Sequence, residues 1–423
     1  MVGARVSQTS TRNRGRRDGS NLRGSVGVLI ARAAEPWLHR LLNRIDAGLA
    51  EGAIAATLPG GTRRRLGGRA PGPEAIVEIR SWRALWRLAT GGSAGWYEAW
   101  AAGEWTSPDP VPLFDLFVRN RATLGNTGRA GGVGRIAKRV WHAFQRNSRT
   151  GSRRNIAYHY DLGNDFYAPW LDASMTYSSA LFAPGVASLA EGQAAKLADV
   201  LERTGTAPGD RIVEIGCGWG SFAELAARRG RQVHGITLSA EQKAYVEARM
   251  ARAGLEGVTV GLTDYRDVTG MFDAVASIEM VEAVGQDYWP AYLATIARVL
   301  KPGGRAAIQY IAIDDAIFDS YARNVDFIQA YVFPGGMLLS ESRFRAIAEA
   351  QGLHWSDQQN FGADYAQTLK LWREAFDAAV AEGRLPAEFD SHFIDLWRYY
   401  LMYCEGGFRG GGIHVAQVTL IKD

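Results

Sequence analysis

The sequence predicts an α/β protein: a doubly wound parallel sheet preceded by a smaller N-terminal α+β domain. Two observations predict it. From residue 211 onward, short apolar runs (211–215, 232–236, 258–261, 272–277 and 305–310) alternate with segments of helical period (221–229, 240–253 and 290–299). That alternation is the signature of strands joined by crossover helices. The second is the octet VEIGCGWG at 213–220, where Gly216, Gly218 and Gly220 separate an apolar strand from a helix. Glycine permits a tight turn and a close approach of backbone to a ligand, which a Cβ would block. The spacing is not the G-x-G-x-x-G of a dinucleotide site.

The remaining elements follow in order. Residues 1–24 read as a disordered basic tail. Residues 36–49 carry Trp37, Leu38, Leu41, Leu42, Ile45 and Leu49 at helical spacing, with Pro36 suited to the first turn. A turn at 58–61, a strand at 75–79, a helix at 82–88 and a break at 107–110 complete an α+β domain over 25–125, expected to bind lipid or to dimerise. Residues 126–152, rich in Gly, Arg and Ser, read as a basic linker, and 153–423 as the main domain. Within it, 301–304 is a turn and 417–421 a last, edge strand. The aromatic-rich insert 314–361 and a helix at 365–382 are expected to roof a substrate site.

Composition narrows the class. Hydrophobic residues make up 47% of the chain, enough for a large core. Only Cys217 and Cys404 occur, which excludes a disulfide framework and points to a reducing cytoplasm. No apolar run approaches the roughly 20 residues of a membrane-spanning helix. The net charge is +4, but between Asp115 and Asp161 there is no acidic residue, while Arg119, Arg121, Arg129, Arg135, Lys138 and Arg139 begin a basic run that continues to Arg154. Such a run favours a polyanion, with about 1 kcal/mol gained per cation near an anionic lipid surface.

Three further segments carry candidate chemistry. Thr237, Leu238 and Gln242 follow the second strand, where many nucleotide sites place an acid for ribose hydroxyls; Thr237 and Gln242 can hydrogen-bond instead, and Ser239 is a helix N-cap. Asp264-Tyr265-Arg266 follows the third strand, where a polar group and an aromatic face can meet adenine. Upstream, YHYDLGNDFY at 158–167 offers His159 as a base or as a structural histidine. Asp161 and Asp165 lack a convincing ligand set, so no metal is expected.

VEIGCGWG resembles the first motif of S-adenosylmethionine (SAM)-dependent methyltransferases, which sets Glu214 near the amino-acid part of the cofactor. With YHYDLGNDFY, LDASMTYSSALF, GITLSAEQ, TDYRD, VEAVG, YVFPGGML, FGADYAQTLKLW and YYLMYCEGGFRGGGI in order, the chain from about residue 155 resembles the cyclopropane-fatty-acyl-phospholipid synthases and the related mycolic acid methyltransferases. The resemblance implies a Rossmann-like domain that binds SAM through Tyr177, Ser178, Gly216, Gly218, Thr237, Leu238 and Gln242, capped by Tyr265 and Arg266. It implies bicarbonate as general base near Glu282, the Ile311 backbone and Tyr365. The family's cysteine and histidine at that base site fall on Ser179 and Gln309, and Ala283 follows Glu282 where histidine is frequent.

The implied reaction begins with methyl transfer to the double bond of an unsaturated phospholipid acyl chain, at the inner face of the membrane. The resulting carbocation lies between aromatic faces, with Tyr310, Phe318, Tyr321, Phe327, Tyr331, Phe333 and Phe361 as candidate walls. Loss of a proton from the new methyl group closes a cyclopropane ring, the favoured product. Loss elsewhere gives a methyl- or methylene-branched chain, an alternative that Ser179 and Gln309 leave open. Nucleic acid is not the expected partner, since no N-P-P-[YF] motif for exocyclic amines occurs; a homodimer is implied by resemblance alone. A small-molecule or nucleic-acid methyltransferase and a non-enzymatic lipid-binding protein are the competing classes.

Overall fold

The computed structural model describes residues 35–125 and 162–423. The basic tail 1–24, the linker 126–152, His159 and Asp161 lie outside the described residues.

The N-terminal unit is a four-stranded sheet in the order β2-β1-β3-β4 with helices packed against it. Helix Glu35–Gly48 turns Leu38, Leu41, Leu42 and Ile45 inward, the i, i+3, i+4, i+7 stripe of an amphipathic helix. Strands β1 (Ala53–Thr57) and β2 (Arg63–Gly67) form a hairpin across the expected turn, which Leu58 N closes on Thr62 O at 2.8 Å. Strand β3 (Glu74–Ile79) buries alternate residues, as a half-covered strand must. The expected helix at 82–88 extends to Trp82–Ala101, bent at Gly92 (φ 61°, ψ −144°), before the short β4 (Trp105–Thr106). Trp105 stacks on Trp96 at 4.4 Å and donates its Nε1–H to Trp96 O at 2.9 Å.

The main unit is an eight-stranded sheet, with seven strands in the order β11-β12-β9-β8-β5-β6-β7 and β10 (Leu339–Ser340) paired with β9. Strands β5 (Arg211–Ile215), β6 (Gln232–Thr237), β7 (Val258–Leu262), β8 (Phe272–Ile278) and β9 (Leu300–Ile313) run parallel, as the alternation predicted. The last strand, β12 (Ile413–Lys422), is antiparallel and internal rather than at the edge, because β11 (Leu353–Asn360) pairs outside it. The sequence of β11, LHWSDQQN, buries only its first residue, so no apolar alternation marked it as a strand. The expected turn at 301–304 is absorbed into β9, where the pairing with β8 shifts register.

The two units share one apolar interior. Helix Ser391–Arg409 packs against Val111–Arg119, Phe327 N donates to Ser93 Oγ at 3.0 Å, and Tyr331 OH donates to Glu98 Oε1 at 2.9 Å. Among the described residues, no helix is long and apolar enough to cross a membrane.

Candidate active site

The first cavity, about 160 Å³, opens where the parallel strands end, the expected ligand position in a doubly wound sheet. After β5 the chain turns through Gly216 (φ 80°), Gly218 (φ 50°) and Gly220 (φ 83°) into helix Ser221–Arg228. A Cβ on Gly216 would lie 2.6 Å from Met280 Cγ, whereas one on Gly218 would meet nothing within 4 Å and project into open space. Gly216, Gly218, Tyr177, Ser178, Glu214, Thr237, Leu238, Gln242 and Tyr265 all line this cavity.

Its polar groups are arranged for a ligand. Thr237 Oγ1 donates to Gln242 Oε1 at 2.8 Å, which leaves Gln242 Nε2 buried without a partner. Glu214 Oε2 is likewise buried and unpartnered. One unsatisfied donor and one unsatisfied acceptor in a single cavity call for a ligand bearing both, and SAM fits that requirement. Ser239 is the expected N-cap, accepting from Gln242 N at 3.2 Å. Arg266 stands apart from the cavity lining. Its guanidinium pairs with Asp264 at 2.8 and 2.6 Å and lies over the rings of Tyr265 and Tyr288 at 5.2 and 5.6 Å.

The second cavity, about 520 Å³, is largely apolar and falls within the roughly 300–1,000 Å³ range of small-molecule sites. The N-terminal unit forms one wall, with Leu88, Trp96, Phe114, Phe117 and Leu124. Tyr321 and Phe333 line it as expected. Tyr310, Phe318, Phe327 and Phe361 are instead buried core, and Tyr331 is held by Glu98. Tyr177, Glu279 and Ala283 line both cavities and so mark their junction.

Glu279 dominates that junction, and sequence reasoning missed it. Its Oε1 accepts from Ser179 N at 2.9 Å and from Gln309 Nε2 at 2.7 Å; its Oε2 accepts from Tyr365 OH at 2.7 Å. Gln417 Nε2 donates to Gln309 Oε1 at 2.9 Å and thereby turns the Gln309 amide nitrogen toward Glu279. Ser179 Oγ is occupied with Ala180 O at 2.9 Å. Glu279 holds φ 49°, a left-handed conformation that costs on the order of 1–3 kcal/mol outside glycine.

Glu282, three residues on, also lines the apolar cavity. Its Oε1 accepts from Ile311 N, while its Oε2 is buried without a partner. The two glutamates share one environment and repel each other. Burial pushes the Glu282 carboxyl up to about 8, helped by the neighbouring Glu279 charge. Burial also raises Glu279, but Lys196, Tyr365, Ser179 N and Gln309 oppose it. Three donors and Lys196 favour the ionised form of Glu279, whereas burial and the Glu279 charge favour the neutral form of Glu282. Lys196, fully buried, donates its Nζ–H to Ser178 Oγ at 2.5 Å and is lowered to about 8 by burial, against the pull of Glu279, Asp172 and Glu214.

These bonds bear on the expected bicarbonate. Its implied partners are already engaged: Ile311 N by Glu282, and Ser179 N, Gln309 and Tyr365 by Glu279. A second anion placed there would face the Glu279 carboxylate with these donors already taken, so the residues do not fit it. The signals for the missed groups were present. Glu279 and Glu282 form an i, i+3 acidic pair closing an apolar strand, and Lys196 shares a helix face with Gln193, Leu197 and Val200, all buried.

Comparison with known proteins places the chain in a family. The family model described as mycolic acid cyclopropane synthetase matches residues 147–418. Tuberculostearic acid methyltransferase UfaA1 of Mycobacterium tuberculosis is 37% identical over 357 residues, covering 80% of this chain and 81% of its own. Cyclopropane-fatty-acyl-phospholipid synthase of Escherichia coli is 38% identical over 270 residues, 62% of this chain and 66% of its own. Among solved structures, the cyclopropane synthase MmaA2 from Mycobacterium tuberculosis superimposes with a TM-score of 0.60 at 30% identity, over 64% of this chain and 98% of that one. Mycolic acid cyclopropane synthase CmaA1, solved with S-adenosylhomocysteine (SAH) and CTAB, gives 0.61 at 30% identity with the same coverage. The chain belongs to the mycolic acid cyclopropane synthetase family and is a SAM-dependent methyltransferase that acts on fatty acyl chains.

Proposed function

We propose that the protein methylates the double bond of an unsaturated acyl chain while that chain is still part of a membrane phospholipid, at the inner membrane surface. The observation that carries this reading is the meeting of the polar cofactor cavity and the apolar cavity at Tyr177, Glu279 and Ala283. When bound, SAM supplies an electrophilic methyl group. An alkene is a weak nucleophile, so the protein's part is to hold it in line and dry. The apolar walls exclude water, and Tyr177, Tyr365, Tyr400 and Phe408 line the cavity with ring faces that can lie near a developing cation. The lipid-surface reading is supported by Gly125, which lines the apolar cavity and immediately precedes the basic segment 126–152 in sequence.

Ring closure is the product that the family name favours. A second reading, a methyl- or methylene-branched chain, is favoured by a specific observation. The 357-residue match to UfaA1 is too long for the region after residue 147, so it reaches into the unit that walls the acyl cavity. That relative is named a methyltransferase rather than a cyclopropane synthase. Incubation with SAM and unsaturated phospholipid vesicles, followed by mass and NMR analysis of the acyl chains, decides between them. Gain of one CH2 without an olefinic signal supports the ring, gain with an olefin retained, as =CH2 or within the chain, supports the branch, and unmodified acyl chains contradict both.

A further inference from the structure

We infer that Glu279 is this enzyme's own proton acceptor, a carboxylate built into the chain where the family resemblance implied a bound bicarbonate. The inference deepens the proposed acyl methylation and rests on it.

Four observations converge on Glu279. Its carboxylate lies at the junction of the two cavities, where a methyl group passing from one to the other must arrive. It takes the hydrogen bonds from Ser179 N, Gln309 and Tyr365 that an external anion would otherwise need. Gln309 is itself oriented by Gln417, and the buried Lys196 favours the charged form of the carboxylate, so the site is built to hold an anion. Finally, the residue occupies a left-handed backbone position at φ 49° that glycine would adopt without strain. A side chain kept at such a position, facing two cavities and triply hydrogen-bonded, points to a task for that side chain.

The step balances as follows. After methyl transfer, the acyl chain carries a carbocation. A C–H bond of the transferred methyl breaks, and its electron pair forms a bond to the cationic carbon. That bond is a ring-closing C–C bond if the cation is intercepted where it forms. It is the π bond of a methylene branch (C=CH2) if a 1,2-hydride shift first moves the cation to the carbon that bears the methyl. The proton passes to a Glu279 carboxylate oxygen in either case, and leaves to water after the product departs. Glu282, already protonated, does not compete for it.

The test measures acyl methylation by the full-length protein in CO2-free buffer and in buffer with added bicarbonate, for wild type, Glu279→Gln and Glu279→Gly. Wild type is expected to turn over equally in both buffers. Glu279→Gln is expected to slow turnover by about a hundredfold or more in both buffers. Glu279→Gly relieves the backbone, frees the three donors and is expected to recover roughly tenfold on addition of bicarbonate or formate. A wild-type enzyme that stalls without bicarbonate and recovers with it would overturn the inference, as would near-normal turnover by Glu279→Gln. Absence of any methylated acyl chain from wild type in both buffers would instead overturn the proposed function, and this inference with it.

Discussion

The Tyr365 hydroxyl donates to Glu279 Oε2 at 2.7 Å, tying helix Gly362–Ala381 to the residue that follows β8. The bond stabilises the ionised carboxylate, and with Lys196 it opposes the upward push of burial on Glu279. Removing it raises the Glu279 pKa further, so the carboxylate is protonated at higher pH. Tyr365→Phe is therefore expected to shift the acid limb of the kcat–pH profile upward by about one unit. A merely structural role for Tyr365 would lower kcat without moving that limb.

Glu282 gives a stability prediction of definite sign. Its folded-state pKa is raised from 4.5 to about 8, chiefly by burial and secondarily by Glu279. Between those values the folded state binds more protons than the unfolded state, so wild-type stability falls as pH rises through the window and levels off above it. Glu282→Gln removes this term, which is on the order of a few kcal/mol. Urea unfolding at a series of pH values is expected to show the variant gaining on wild type from pH 4.5 to about 8. Parallel stability curves would remove the buried, protonated Glu282 from the account.

The glycine turn separates folding from binding. Gly216→Ala places a Cβ 2.6 Å from Met280 Cγ at φ 80°, and is expected to lower stability by about 1–3 kcal/mol. Gly218→Ala at φ 50° meets no protein atom within 4 Å and carries only the left-handed strain of about 1–2 kcal/mol. Its Cβ enters the cofactor cavity, so SAM affinity is expected to fall by more than about tenfold, or 1.4 kcal/mol. Thermal melts and calorimetry compare the two; equal SAM affinity for Gly218→Ala and wild type would contradict this placement of the cofactor.

Cys404 lines the apolar cavity and not the cofactor cavity. Cys404→Phe fills acyl space, and is expected to raise KM for long unsaturated chains while SAM affinity stays unchanged. Overpacking there is expected to cost about 1–3 kcal/mol of stability. A drop in SAM affinity with normal acyl KM would reverse the assignment of the two cavities.

The parallel strands and the glycine turn were legible because their signals are local. A strand buried on both faces reads as an apolar run, and a left-handed turn reads as glycine. Strand β11 was not legible: its order comes from pairing with β12, while its side chains stay polar and mostly exposed. The residues from Tyr177 to Tyr265 that line the polar cavity were brought together by motif order, whereas Arg266, drawn to Asp264, does not line it. Glu279 escaped attention for a different reason. Its importance lies in three donors brought from residues 179, 309 and 365, and no sequence window contains them together.

The most direct test of the account is transfer of label from SAM carrying a CD3 methyl group to unsaturated phospholipid in vesicles, with deuterium located in the acyl product. The account predicts that the acyl chain gains the SAM carbon with two of its three deuterons, because Glu279 takes one from the transferred methyl. Retention of all three would place the proton loss elsewhere on the chain. Acyl chains without label would contradict acyl methylation itself.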